Sequence, residues 1–245
     1  MPRFFVPSDG FDAEGKVHIL GDDAYHIARA LRMAAGDTLT VADMHGGEHL
    51  CRLLSIRDAE CILEILESHA GRTEPPFPIT LYMAYPKGDK LETVVQKAVE
   101  LGAARIVPFF SSRCIKRPKA DGAGKLRERL NRIAKEAAKQ CGRTLLPAVA
   151  DPLSFDAMLA EAARAHLPLF CYEGDGTRPL KEILTEVPTP SSVAVVVGCE
   201  GGFSSEEAES ARRAGLLPTG LGPRILRCET APAYVLSSIS YQFEL

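Results

Sequence analysis

The stretch VVVGCEGGFSSEE, residues 195–207, constrains this chain more than any other. With Val193 and Ala194 it begins as an unbroken apolar run. A run without polar alternation is buried on both faces, the condition of a strand inside a parallel sheet. The run stops at Gly198-Cys199-Glu200-Gly201-Gly202-Phe203, and Ser204 followed by Glu207 makes a capping box that fixes a helix start. The carboxyl end of such a strand is where open α/β sheets bind ligands. Glycines there let backbone N–H and C=O groups come close to a ligand. The turn is neither GxGxxG nor GxxxxGK[ST], which disfavours a Rossmann dinucleotide site and a P-loop. A plain β-to-α connection is the bland alternative, but such turns seldom need three glycines.

The pattern around this stretch repeats its logic. From Ile79 onward ITLYMAYP, ARIVPFF, LPLFCYE and SVAVVVG read as strands. KLETVVQKAVELG, KLRERLNRIAKEAAKQCG, FDAMLAEAARA, RPLKEILTEV, SSEEAESARRAG and APAYVLSSISYQFEL read as helices. Alternating strands and helices predict an α/β domain with a parallel sheet covered on both faces. Residues 1 to about 72 differ: FFV, KVHIL, DTLTVAD, HLCRLLSI and ECILEIL are short apolar runs between Gly, Asp and His turns. One helix interrupts them, DAYHIARALRM, with Ala24, Ile27, Ala28 and Leu31 on one face. A small closed barrel with one helix would bury that pattern. The Pro-rich connector GRTEPPFP, residues 71–78, is a natural boundary, which predicts domains at 1–72 and 73–245.

No apolar run approaches the roughly 20 residues that span a bilayer, so no membrane partner is expected. MPRFFVPSDG lacks a signal-peptide apolar core. The seven cysteines are odd in number and form no CxxC, as expected of a reduced, cytoplasmic protein. Net charge is −3, yet between Arg105 and Arg143 twelve Lys/Arg face three acids. A basic face in an acidic protein is the footprint of a polyanion partner, or simply a solvated helix. His45, His49 and Cys51 lie in HGGEHLC, a hairpin pattern with no fourth ligand in view, so no metal site is expected.

Two further stretches carry glycine beside chemistry. In TGLGPRILRCETAPAYVL, Thr230 is a plausible N-cap and Pro232 fits the first helical turn. Between Leu221 and Thr230 the chain is too irregular for a strand and too apolar for a free loop, so something must cover Ile225 and Leu226. In YPKGDKLETVVQKAVELG, Lys87 sits between strand and helix and could reach a phosphate or remain solvated.

GCEGGFSSEE, LGPRILRCETA, KGDKLETVVQKAVELG and the stretch ending EAAKQCGR, in that order, resemble the bacterial 16S ribosomal RNA uridine-N3 methyltransferases of RsmE type. These belong to the SPOUT superfamily of α/β-knot enzymes. The resemblance extends over nearly the whole chain, including HIARALRMAAGD. The family usually has Pro where Cys199 stands and Thr where Cys228 stands. The resemblance implies an N-terminal PUA-like β-barrel and a C-terminal SPOUT domain with a trefoil knot, which no periodicity signals. It implies S-adenosylmethionine held in a bent shape at a homodimer interface. Gly198, Gly201 and Gly202 would present backbone to it, Leu221, Gly222, Ile225 and Leu226 would close the other side, and Tyr172 would border the pocket.

Methyl transfer to a uridine N3 needs its proton removed and the resulting charge stabilised. Glu200 and Glu229 are candidate acceptors and Arg227 a candidate stabiliser. The alternatives are that Glu229 pairs with Arg224 or Arg227 to pin its loop, and that Glu200 braces its own turn. N3 lies on the Watson–Crick edge, so the target base must be unpaired or flipped out. Arg3, Arg29, Arg32, Lys87, Arg113, Lys116, Arg117 and Arg143 are the expected contacts to 16S rRNA, probed on free RNA or within the small subunit. A ribose 2′-O-methyltransferase and a non-catalytic assembly protein with a vestigial pocket are the competing readings. The apolar helix APAYVLSSISYQF, with Ala233, Val235, Leu236, Ile239 and Phe243 available for burial, predicts the dimer contact.

Overall fold

The computed structural model describes residues 1–57, 59–115 and 120–245. It divides into two compact units, Met1–Glu74 with Ala138–Leu146, and Pro75–Ala137 with Pro147–Leu245.

The first unit holds β1 (Arg3–Phe5), β2 (Lys16–Leu20), α1 (Gly21–Tyr25), β3 (Thr38–Ala42), β4 (Gly47–Arg57) and β5 (Glu60–Ala70). They form one sheet in the order β1-β3-β4-β5-β2, with β1 parallel to β3 and the other pairs antiparallel. Register shifts at Leu50/Cys51 and Leu53/Ser55 bend the long β4–β5 ribbon. Val17, Ile19, Leu39, Val41, Cys51, Leu53, Cys61 and Leu63 point to one side and make the core, with Ala24 and Ile27 packed over them. The expected helix is not regular: α1 runs into a π-helical turn, His26–Ala30. The wider turn breaks the 3.6 period, so Ala24 and Ile27 are buried while Leu31 is 39% exposed.

In this unit two of the expected RNA contacts are paired within the chain. Arg143 is 2% exposed, and its guanidinium donates to Glu74 at 2.5 Å and 3.0 Å. The same carboxylate accepts the N–H groups of Thr144 and Leu145. Burial would raise the Glu74 pKa, but Arg143 and those N–H groups pull it below the ordinary carboxylate range. Arg143 is therefore an internal staple. Arg3 is also largely committed, with Nη2 at 2.6 Å from Glu48 and a side chain only 13% exposed. His45 meets Ser8, His49 meets Ser68, and Cys51 is buried, so the HGGEHLC trio serves the hairpin and the core.

The second unit holds β6 (Ile79–Ala84), α2 (Lys90–Glu100), β7 (Arg105–Phe110), α3 (Ala120–Cys141, its last turn in the first unit), β8 (Ala148–Val149), β9 (Leu153–Ser154) and α4 (Phe155–Ala162). It continues with β10 (Leu167–Cys171), β11 (Arg178–Pro179), α5 (Leu180–Glu186), β12 (Val193–Val197), α6 (Ser205–Arg213), β13 (Leu217–Gly220) and α7 (Thr230–Phe243). The described pairs are all parallel, in the order β11-β13-β10-β12-β6-β7-β8, with β9 on β7. Every residue of β10 and β12 is buried, as their uninterrupted apolar runs require. Phe203, just past the glycine turn, stacks parallel to Phe109 at 6.2 Å and lies 4.3 Å from Phe170, so it ties the turn to the core. In α7, Val235, Leu236 and Ile239 are fully buried within this unit, which removes them from the expected dimer contact. Phe243 packs edge-on against Phe77. The exposed face instead presents Tyr234 and Tyr241.

Candidate active site

β13, β10 and β12 are neighbours in the sheet, so the loops after them emerge side by side at one sheet edge. Together they enclose a cavity of about 530 Å³. Tyr172 and Thr177 come from the loop after β10, Gly198–Glu200 with Gly202 and Phe203 from the loop after β12, and Leu221–Cys228 from the loop after β13. The size suits a ligand of cofactor dimensions. Two glycines are required by geometry. Gly202 has φ +63°, a left-handed conformation, and a Cβ on Gly198 would sit 3.1 Å from the Gly202 Cα. The turn closes on itself through Gly202 N–H to Cys199 C=O at 2.9 Å.

The capping box read from the sequence is present and reaches further than a cap. Glu207 is 8% exposed and accepts the Ser204 N–H at 3.0 Å with one oxygen. Its other oxygen accepts the Ser112 N–H, from the loop after β7, at 2.7 Å. Beside it, Arg113 Nη1 donates to the Gly201 C=O at 2.6 Å. Gly201 thus faces Arg113 and is absent from the cavity lining, unlike Gly198 and Gly202.

Lys90, the first residue of α2, joins the two cavity loops. Its Nζ lies 3.0 Å from Glu200 Oε1 and 3.2 Å from Glu229 Oε2. Glu200 also accepts the Lys87 N–H at 3.1 Å. Glu229 therefore pairs with Lys90 rather than with Arg224 or Arg227, and Glu200 braces a neighbouring loop. Hydrogen bonds from Lys90 to Glu200 and then Glu229 push the lysine pKa up. For Glu200, burial works upward, but its own N–H, Lys90 and the Lys87 N–H outweigh it and hold the carboxyl low. Glu229 is held low first by its own N–H, then by Cys228 and Lys90. Carboxylates held ionised in this way are weak proton acceptors.

Tyr172, Leu221, Gly222, Leu226 and Arg227 line the cavity, and Ile225 lines it while 84% exposed. No protein segment described covers Ile225. Arg227 is exposed and its side chain has no partner among the described residues. Glu229 lies outside the lining, as does its partner Lys90. Thr230 begins α7, and Glu229 takes the cap position expected for it. Arg29, Arg32 and Lys87 are exposed, without side-chain partners among the described residues. Arg32 adopts φ +54° just after the π-helical turn. Lys116 and Arg117 lie outside the described residues. The only sequence signal for Lys90 is its place in KGDK, beside Lys87, before a helix.

The family models bear on what such a site is for. An RNA methyltransferase domain matches residues 73–240, and an RNA methyltransferase PUA domain matches residues 19–66. Ribosomal RNA small subunit methyltransferase E of Bacillus subtilis is 37% identical over all of this chain and 98% of its own length. The chain belongs to the ribosomal RNA small subunit methyltransferase E family. Similar proteins have been solved with ligand. The methyltransferase E of Neisseria gonorrhoeae bound to S-adenosyl methionine is 29% identical, with a TM-score of 0.85 over 99% of this chain and 98% of that one. A Legionella pneumophila methyltransferase in complex with the same cofactor gives 29% and 0.86 over 98% of this chain and 97% of that one. The PUA-like first unit and parallel-sheet second unit are those of the family.

Proposed function

We propose that the protein transfers a methyl group from S-adenosylmethionine to N3 of a uridine in 16S ribosomal RNA. The observation that carries this is the cavity built from the loops after β10, β12 and β13, with bare glycine backbone on one side and apolar Leu221 and Leu226 on the other. Backbone groups satisfy the edge of an adenine, apolar side chains satisfy its faces, and family membership supports the choice of ligand. The bound cofactor supplies an electrophilic methyl group, so the protein's own tasks are alignment, exclusion of water and charge stabilisation.

Gly198 and Gly202 shape the turn, and Lys90 holds it against the loop at 221–228. Glu200 and Glu229 act as anchors, because their backbone N–H groups together with Lys90 keep both ionised. The N3 proton then leaves to water, and Arg227, unpaired at the cavity, stabilises the negative charge on the flanking carbonyls. Arg29, Arg32 and Lys87 contact phosphates. The working form is a homodimer in the cytoplasm, where its substrate is assembled. A groove of about 720 Å³ between α5 and α7, flanked by exposed Tyr234 and Tyr241, supports that assembly. Light scattering at micromolar concentration checks it.

The deciding experiment incubates the protein and S-adenosylmethionine with free 16S RNA and with small subunits from cells lacking it, then maps the product by nucleoside mass spectrometry. N3-methyluridine is expected. A ribose methyl would identify the 2′-O reading, and cofactor binding without any product would identify an assembly factor.

A further inference from the structure

Two thiols meet behind the glycine turn. Cys199 belongs to the turn and is 5% exposed, whereas Cys114 lies in the loop after β7 and is half-buried. Ser111 touches both, its hydroxyl 3.3 Å from Cys114 Sγ and 3.9 Å from Cys199 Sγ. The Ser111 N–H also donates to Cys114 Sγ at 3.4 Å. Hydrogen bonds converging on one sulfur favour its thiolate. Those of Cys199 and Ser111 bring Cys114 down to about 6, against the opposing effect of burial. Cys199 moves the other way, through the same bond and burial. Cys51, Cys61, Cys171 and Cys228 are all pushed up instead, chiefly by burial. Methyl transfer uses neither Cys114 nor Cys199 as a reacting group.

We infer that Cys114 and Cys199 form an oxidisable dithiol for peroxide-class oxidants, whose disulfide pulls the glycine turn out of the shape that holds the methyl donor. The Cys114 thiolate attacks one peroxide oxygen, the O–O bond breaks, and sulfenic acid and hydroxide result. The Cys199 thiol then attacks that sulfur, and the displaced hydroxide leaves with the thiol proton as water. In sum two thiols lose two electrons and two protons, and peroxide becomes two waters. A disulfide brings the sulfurs to about 2.05 Å, closer than any hydrogen-bonded thiol pair. The turn has no slack to absorb this. Gly198 and Gly202 are already in close contact, and the loop after β7, which carries Cys114, is tied to the turn by Arg113–Gly201 and to α6 by Ser112–Glu207.

The test treats reduced protein with hydrogen peroxide, alkylates it, and searches digests by mass spectrometry. A Cys114–Cys199 cross-linked peptide is expected before any other disulfide. Cys199→Ser should instead leave a dimedone-reactive sulfenic acid on Cys114. Calorimetry should show S-adenosylmethionine affinity falling about tenfold or more on oxidation, since each 1.4 kcal/mol is tenfold. The loss should reverse with dithiothreitol and be absent in oxidised Cys114→Ser. Oxidation of other cysteines with no Cys114–Cys199 peptide overturns the dithiol, and a cross-link with unchanged affinity overturns its effect on the turn. The affinity readout rests on the proposed cofactor site. If reduced protein binds no cofactor, that proposal fails, while the peptide masses still decide the dithiol.

Discussion

Replacing Glu207 by Ala separates the turn from its support. The carboxylate closes the capping box on Ser204 and holds the Ser112 N–H of the loop after β7. Loss of the cap contribution is worth about 1 kcal/mol. The Ser112 bond adds about 1 kcal/mol, less than the roughly 1.5–3 kcal/mol typical of bonds to charged groups, because Ser112 is exposed and water can replace the acceptor. The buried methylene lost from an 8% exposed side chain adds about 0.8 kcal/mol. The total is about 3 kcal/mol, and each kcal/mol lowers the melting midpoint by about 2–4 °C in a chain of this size. Glu207→Gln keeps the shape and one acceptor oxygen, so about half the loss is expected. Calorimetric melting reads both variants. A Glu207→Ala protein within about 0.5 kcal/mol of wild type, the range of ordinary surface changes, would refute the view that this carboxylate anchors the turn.

Lys90→Met should weaken cofactor affinity and make it pH-sensitive, with Lys90→Arg restoring it. Glu200 and Glu229 have lowered folded-state pKa values, so their stabilisation is present at neutral pH and lost as pH falls below the ordinary carboxylate range. Without Lys90 that loss should begin at higher pH, which cofactor titrations between about pH 8 and pH 4 would read. Arg143→Ala should destabilise the first unit by about 3–5 kcal/mol, because Glu74 keeps its partly buried charge without a counter-ion. Denaturant unfolding checks this, and an unchanged midpoint would return Arg143 to the surface. Arg29→Ala and Arg32→Ala should each reduce the slope of log affinity for RNA against log salt by about 1, as filter binding would show.

What was legible in the sequence follows from how local each signal is. β12 is an unbroken apolar run, and Ser204 and Glu207 are three residues apart, so strand, turn and cap could be read directly. β13 escaped because Leu217–Gly220 contains Pro218 and Gly220, which break a strand pattern, and β8, β9 and β11 are each two residues long. The π-helical turn at His26–Ala30 hides inside an ordinary helical period. The cavity loops were legible from their glycines, but the Lys90–Glu200–Glu229 link was not, since its members lie far apart in sequence. Charge counting placed Arg143 on a basic face because composition does not distinguish a buried guanidinium from a solvated one. For the same reason composition alone gives α7 an apolar face for a partner, whereas Val235, Leu236 and Ile239 are buried in its own unit.

A crystal structure of the protein soaked with S-adenosylmethionine tests the central claim most directly. Density is expected between the bend at 198–203 and the bend at 221–228, with Gly198 and Gly202 backbone on one side and Leu226 on the other. Ordered cofactor density outside that cavity would contradict it.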